Sequence, residues 1–291
     1  GVIIFALILK YPFFEFGPRY AAATGESLVE GYRRVGRWAV WLYLLIMLST
    51  VVFTNAAILL FTEALFQYAL GTSFSPTLAS AVVYSGCLVL LWVGHYKALD
   101  LAIKIVVLVL ALSTLVAASL ILPQADFSDL SLIPLMPSEG TVTLAFMIAI
   151  AGWMPVGIEA ATLSSLWTLA KDKSTNVRTS VSTARLDFNI AYVGTGILAF
   201  AFLILGAVVM YGSGEEFSAS PAGFSTQLIA LYESTLGGWA GPIVVTAAVT
   251  AMFSTTLTVM DGYPRAIDRA IKVIKTDDPD QTANADISEP Y

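Results

Sequence analysis

The stretch Ala149-Ile150-Ala151-Gly152-Trp153-Met154-Pro155-Val156-Gly157-Ile158-Glu159 decides the fold of this chain. It sets a glycine, a proline, a second glycine and then a carboxylate inside a run otherwise apolar enough for a membrane-spanning helix. Pro155 has no N–H to close a helical turn and its ring clashes with the turn before it, while Gly152 and Gly157 add little helical preference. In hydrocarbon an unpaired carbonyl is tolerated only where it faces protein, water or a bound ligand. A helix broken at mid-membrane therefore reads as a transporter's binding site or its pathway, with a simple proline kink as the competing reading.

Composition sets the medium. Of 291 residues 57% are hydrophobic and 12% charged, and the mean hydropathy is +0.78. A soluble domain carries roughly 25% charged residues, so the chain reads as an all-α integral membrane protein. Cys87 is the single cysteine and excludes an intramolecular disulfide, and the single histidine, His95, cannot build a multi-histidine metal site. Basic residues are few and dispersed under a net charge of −6, which speaks against nucleic acid as a partner. The chain opens without an initiator Met, in the apolar run Gly1-Val2-Ile3-Ile4-Phe5-Ala6-Leu7-Ile8-Leu9. That opening is expected of a piece whose upstream helix is missing.

Apolar stretches long enough to cross about 30 Å of hydrocarbon recur at 1–24, 38–62, 76–95, 101–122, 141–169, 186–211 and 238–262. The expected organisation is a transmembrane domain over 1–275, lacking its first and last helices, and a polar, disordered tail over 276–291. Trp38, Trp41, Tyr43, Trp92 and Tyr96 suit interfacial belts. Arg33, Arg34 and Arg37, then Lys97 and Lys104, then Lys171, Lys173, Arg178 and Arg185, and finally Arg265, Arg269, Lys272 and Lys275 mark one side of the membrane. The alternate loops 70–75, 123–140 and 212–237 hold no Lys or Arg. The positive-inside rule makes the basic loops cytoplasmic, as in a bacterial inner membrane protein.

Charges within spans are costly and face a partner or a cavity. Lys10 and Glu15 flank Pro12 and are expected to pair across that kink, with Arg19 snorkelling toward the cytoplasm. Glu63 reads as a solvated boundary residue, Asp187 as a boundary residue or a partner of Arg185, and Asn55 either bonds a neighbouring helix or lines a pathway. Glu159 follows the Met154-Pro155 break by about one turn, so its carboxylate can point back at the unwound backbone. Oxygen donors suit hard cations and the Met154 thioether suits softer ones, so Ala151 carbonyl, Met154 sulfur and the Glu159 carboxylate would together favour a divalent transition metal. The plain alternative is that Met154 only packs.

Two segments carry a family resemblance. Arg19-Tyr-Ala-Ala-Ala-Thr24-Gly25-Glu26-Ser27-Leu28-Val29-Glu30 and Ala151-Gly152-Trp153-Met154-Pro155 resemble the second helix end and the broken sixth helix of the Nramp (natural resistance-associated macrophage protein) divalent metal transporters. Phe253-Ser254-Thr255-Thr256-Leu257-Thr258 is similar to the Ser/Thr-rich eighth helix, so the chain covers family helices two to eight as a divergent bacterial branch. The resemblance implies the LeuT-type inverted-repeat fold, here seven transmembrane helices with one broken, and proton-linked import of Mn²⁺ or Fe²⁺. It implies Met154 and Ala151 as ligands, with further ligands from a first helix outside this chain. Glu159 is an added carboxylate. The family's two histidines are Val156 and Ala161 here, and its acidic residue of the third helix is replaced by Asn55, which weakens the proton link and keeps Mg²⁺ open as cargo.

No His-Glu-x-x-His or Gly-x-Ser-x-Gly motif points to an enzyme, and no cofactor is expected. A secondary active metal transporter leads, with the divalent ion as cargo, protons as the second partner and the bilayer as its surroundings. An amino-acid or organic-solute symporter of the same architecture is the alternative, with a helix N-terminus near Gly157 facing a substrate carboxylate. Glu159 at that point opposes an anionic substrate.

Overall fold

Arg37–Leu70 and Ala240–Lys275 are each longer than a bilayer's hydrocarbon core requires, and they set the scale of the computed structural model. It describes residues 1–93, 97–125, 144–210, 218 and 220–276, and the described backbone is helical throughout its elements. In chain order these are α1 (Val2–Thr24), α2 (Leu28–Val35), α3 (Arg37–Leu70), α4 (Pro76–Val93), α5 (Lys97–Ile121), α6 (Leu144–Trp153), α7 (Ala160–Thr175), α8 (Val181–Leu205), α9 (Pro221–Leu236) and α10 (Ala240–Lys275). His95 and the tail beyond Thr276 lie outside the described residues, as does most of the loop 123–140.

Among the described residues, five helical stretches are long and apolar enough to cross a membrane: Arg37–Leu70, Pro76–Val93, Val107–Gln124, Val181–Val209 and Ala240–Lys275. The other two of the seven expected spans fall short for separate physical reasons. Helix α1 carries Lys10, Glu15 and Arg19 along its length. The expected span 141–169 is divided by the break into the short α6 and the more polar α7. Large apolar side chains stand outward on the long helices, with Phe53 76% and Trp92 82% exposed. In water such surfaces would drive aggregation; against lipid they are the expected outer face.

Contacts divide the chain into two compact units. The first comprises Gly1–Ser49, Phe127–Ala199 and Gly262–Glu289, and the second Thr50–Asp126, Phe200–Asp261 and Pro290–Tyr291.

The first unit is built around α1 and the two halves of the broken helix. Gly17 lies against the main chain of α7, where a Cβ would collide with the carbonyl of Ala161. Only a hydrogen at that position lets the two backbones approach so closely, the usual device for packing helices in lipid. Phe14, Leu28, Ala161 and Tyr192 pack around the contact, and the Tyr192 hydroxyl donates to the carbonyl of Leu7 at 2.7 Å.

The segment Thr24-Gly25-Glu26-Ser27-Leu28-Val29-Glu30 is a helix stop followed at once by a helix start. Gly25 ends α1 in the left-handed region at φ 78°, its N–H bonded to Ala21. The Ser27 hydroxyl accepts from the Val29 N–H at 3.2 Å, and Glu30 accepts from the Ser27 N–H at 2.9 Å, closing a capping box on α2. Leu28 N–H donates to Ser165 Oγ at 3.0 Å, tying the start of α2 to α7. Glu30, 2% exposed, also forms an ion pair with Arg269 of α10, itself 4% exposed.

Charges along α1 are distributed differently from expectation. Glu15 pairs with Arg19 at 2.9 Å and with Arg185 of α8 at 3.0 Å, so it has no need of Lys10. Arg19 is therefore held in an ion pair, its guanidinium 5.4 Å from the centre of the Phe16 ring, instead of reaching freely for water. Arg185 being taken by Glu15, Asp187 serves another surface, described below.

The second unit has an apolar interior. Ala117, Ala118, Ile121, Ala201, Leu205, Leu231, Tyr232 and Val244 form one cluster, and Val83, Cys87, Leu257 and Met260 another. Hydroxyls stitch its helices: Thr114 and the Tyr232 hydroxyl lie 2.6 Å apart, and Thr62 and Thr256 2.9 Å apart. Thr256 belongs to the Ser/Thr-rich run of α10. Glu63 is buried at 5% exposure and accepts from Gln67 at 2.5 Å, so it is not the solvated boundary residue the sequence suggested. The partner one turn along its own helix supplies the hydrogen bond that water would otherwise give.

The buried pair in the first unit yields a direct test. Removing one member of such a pair leaves an uncompensated buried charge, which costs about 3–5 kcal/mol. Glu30→Ala is expected to destabilise the detergent-purified protein on that scale in a denaturant titration, with loss of the α2 cap included. A change below about 1 kcal/mol would show that the pair contributes nothing to the fold.

Candidate metal site at the helix break

Helix α6 ends where Pro155 withholds a donor. Without an N–H at 155, the carbonyl of Ala151, four residues earlier, has no intrahelical partner. The last turn before the break is closed by Met154 N–H donating to Ile150 at 2.9 Å. The Met154–Pro155 bond is cis. Helix resumes at Ala160, after turns in which Ala160 N–H donates to Gly157 at 3.1 Å and Thr162 N–H to Glu159 at 3.0 Å. Carbonyls at the end of α6 and N–H groups at the start of α7 thus bracket a short unwound segment, residues 154–159.

Glu159 stands at the N-terminus of α7, where the helix dipole favours a negative charge. Its carboxylate folds back over Gly157, filling the space a Cβ would need there. Gly157 is thus required by the carboxylate's position as well as by the break. Tyr263 of α10 donates its hydroxyl to Glu159 Oε1 at 2.8 Å. That bond holds one carboxylate oxygen while the second keeps its acceptor capacity.

From the other side Lys10 of α1 reaches the break. Its Nζ donates to the carbonyl of Gly152 at 2.6 Å, placing an ammonium at the negative end of α6. The break therefore gathers the end of α6, the Glu159 carboxylate, the Tyr263 hydroxyl and the Lys10 ammonium, with Met154 the first residue of the unwound segment.

Of the residues singled out in the sequence, Ala151 and Gly152 lie in the last turn of α6, and Met154, Pro155, Gly157 and Glu159 in the unwound segment that follows. Met154 and Glu159 are half-buried. Asn55 belongs to the second unit, where its amide donates to Val51 of its own helix at 2.8 Å. Ala161 is buried under Phe14 and Tyr192 with Gly17 on its carbonyl, a place without room for an imidazole. Lys10 and Tyr263 are the participants that sequence reasoning did not assign to the break. Lys10 was visible as a charge inside an apolar run, and Tyr263 only as an aromatic between Gly262 and Pro264.

Among the described residues no three His, Cys, Asp or Glu side chains converge in a way that could hold a metal. A metal at the break must draw on main-chain oxygen and thioether sulfur besides the single carboxylate. A cavity of about 720 Å³ in the same unit lies along the later turns of α7, lined by Trp167, Thr168, Lys171, Arg178, Thr183 and Asp187 among others. Its walls begin at Ser164 on that helix and include none of the break residues.

Residues 2–266 match the family model described as natural resistance-associated macrophage protein-like. An uncharacterised protein of Pasteurella multocida (strain Pm70) is 34% identical over 276 residues, which cover 94% of this chain and 63% of that protein. The chain therefore spans less than two thirds of the relative's length. No solved structure matches it. The matched region runs from the start of α1 to the far side of Tyr263 and so contains every residue that builds the break. The chain belongs to the Nramp family and is an all-α integral membrane protein of the LeuT-type fold.

Proposed function

We propose that this chain forms the transmembrane domain, over residues 1–275, of a secondary active transporter that imports a divalent metal ion. The Ala151 carbonyl, the Met154 sulfur and the Glu159 carboxylate hold the ion, with Gly152, Pro155 and Gly157 shaping the unwound segment around it. The observation that carries this reading is the convergence of a carbonyl end freed by Pro155 with a carboxylate held in place by Tyr263. Membership of a metal-transporter family supports it.

A thioether beside oxygen donors favours Mn²⁺ or Fe²⁺; Mg²⁺, a hard ion that prefers oxygen and keeps its waters, suits the carboxylate but not the sulfur. Protons are the second partner that the family suggests. Val156 and Ala161 carry no titratable group, so a proton that accompanies the metal uses neither position. The alternative cargo, an amino acid or another organic solute, would bring its carboxylate to the N-terminus of α7. Glu159 already occupies that end with its own negative charge, which disfavours an anionic substrate. The distribution of Lys and Arg supports insertion in a bacterial inner membrane with the basic loops in the cytoplasm. The family likewise supports transport over catalysis, with the metal as cargo and no cofactor.

The test is uptake by the full-length protein in proteoliposomes. Met154→Ala is expected to lower Mn²⁺ uptake at subsaturating concentration by at least tenfold, and undiminished uptake would remove Met154 from the ligand set. Tyr263→Phe deletes the donor that orients the carboxylate. Loss of such an outer partner typically weakens a metal site by 10–100-fold, so calorimetric titration with Mn²⁺ is expected to show a rise in Kd of that order. An unchanged Kd would mean that Glu159 is not a ligand or that Tyr263 does not orient it.

A further inference from the structure

We infer that Lys10 is a tethered competitor for the metal: its ammonium occupies the carbonyl end of α6 when no ion is bound, and it must withdraw for the ion to enter. The inference rests on the reading of the break as a metal site, and deepens it.

Three observations lead to it. First, Lys10 Nζ lies 2.6 Å from the Gly152 carbonyl. The carbonyls of Ala151 and Gly152 are neighbours at a helix end, where main-chain oxygens point the same way along the axis. An ammonium bonded to one therefore sits beside the place an ion held by the other would take. Second, Lys10 is not engaged by the carboxylate on its own helix, because Glu15 is paired with both Arg19 and Arg185. The side chain crosses to the break instead. Third, Glu159 stands across the same break at the start of α7, fixed by Tyr263 at 2.8 Å. The break thus brings together one basic and one acidic side chain, a combination suited to a membrane interior.

A divalent ion entering beside Lys10 meets both direct competition for the carbonyl end and like-charge repulsion. Because the amine is tethered, its effective concentration at the carbonyl is high and constant. An incoming ion displaces it only if its gain at the Ala151 carbonyl, Met154 and Glu159 exceeds the loss of the bond between Lys10 and the neighbouring Gly152 carbonyl. A monovalent cation offers no charge advantage over Lys10, whereas a divalent one does. Lys10 would accordingly act as a specificity-determining residue, setting a threshold that favours divalent cargo.

The experiment titrates Mn²⁺ into the full-length protein by calorimetry, comparing wild type with the neutral variants Lys10→Gln and Lys10→Met, the charge-retaining Lys10→Arg, and Met154→Ala. Both neutral variants are expected to bind Mn²⁺ at least tenfold more tightly than wild type, with Lys10→Arg within about threefold of it. Neutral variants that bind no more tightly than wild type, while Met154→Ala still weakens binding, would overturn the competitor role and leave the metal site standing. Absence of Mn²⁺ binding in wild type and in all Lys10 variants would overturn the metal site and this inference together. A measurement on the unmodified protein covers the case of a variant that does not fold. Acetylation of Lys10 by acetic anhydride, followed by mass spectrometry, is expected to accelerate severalfold with saturating Mn²⁺ as the amine is released. An unchanged rate counts against the inference.

Discussion

Pro155 cannot supply the N–H that the carbonyl of Ala151 would otherwise receive, and in a medium without water a main-chain oxygen left in that state has to be given something else. Much of the first unit can be understood from that one deficit. Helix α6 stops, the next six residues unwind, and the ends of α6 and α7 turn opposite partial charges toward the gap. Lys10 answers the negative end and Glu159 stands at the positive one. The glycine at 17 lets α1 lie close enough to α7 that the Lys10 stem, two turns earlier, reaches the gap.

The two units solve the problem of polar groups in an apolar setting by different means. In the first, carboxylates are neutralised by named cations: Glu15 by Arg19 and Arg185, Glu26 by Arg34, Glu30 by Arg269. In the second, hydroxyls of Thr62, Thr114, Thr256 and Tyr232 bond one another and carry no net charge. Hydroxyl contacts between membrane helices are individually modest and tolerate sliding, whereas a buried ion pair fixes its partners or fails outright. The ion pairs named here thus lie in the unit that contains the break, while the buried Glu63 of the second unit is answered by the neutral amide of Gln67.

Local chemistry made part of this legible in the sequence. The break is written in consecutive residues, and Pro155 announces it without help from the rest of the chain. The Thr24–Glu30 segment is equally local: Gly25 ends one helix, Ser27 begins the next, and Glu30 sits three residues after its cap. Motifs of this kind survive as family signatures because each letter has a backbone task. What sequence could not supply were partners chosen across long separations. Lys10 and Gly152 are 142 positions apart, and Glu15 and Arg185 are 170 apart. Proximity along α1 suggested that Lys10 and Glu15 would pair, since both flank Pro12; packing against α8 brought Glu15 a second arginine instead. Tyr263 illustrates the same difficulty, because nothing adjacent to it indicates that its hydroxyl will find Glu159. Glu63 differs in the opposite direction: its position near the end of the expected span suggested solvent, and it is buried with Gln67 of its own helix as donor.

Glu30 serves two masters, capping α2 through Ser27 and pairing with Arg269. These partners are made at very different moments. Ser27 leaves the ribosome just before Glu30, but Arg269 follows roughly 240 residues later, and at about 5–20 residues per second that interval is on the order of tens of seconds. Throughout it the carboxylate has its cap but not the buried arginine it meets in the folded chain, so α2 can form before its acidic side chain is paired with Arg269. The last long helix therefore acts as a clasp in time, and a nascent chain interrupted before residue 269 would be left with α2 held in the interfacial layer.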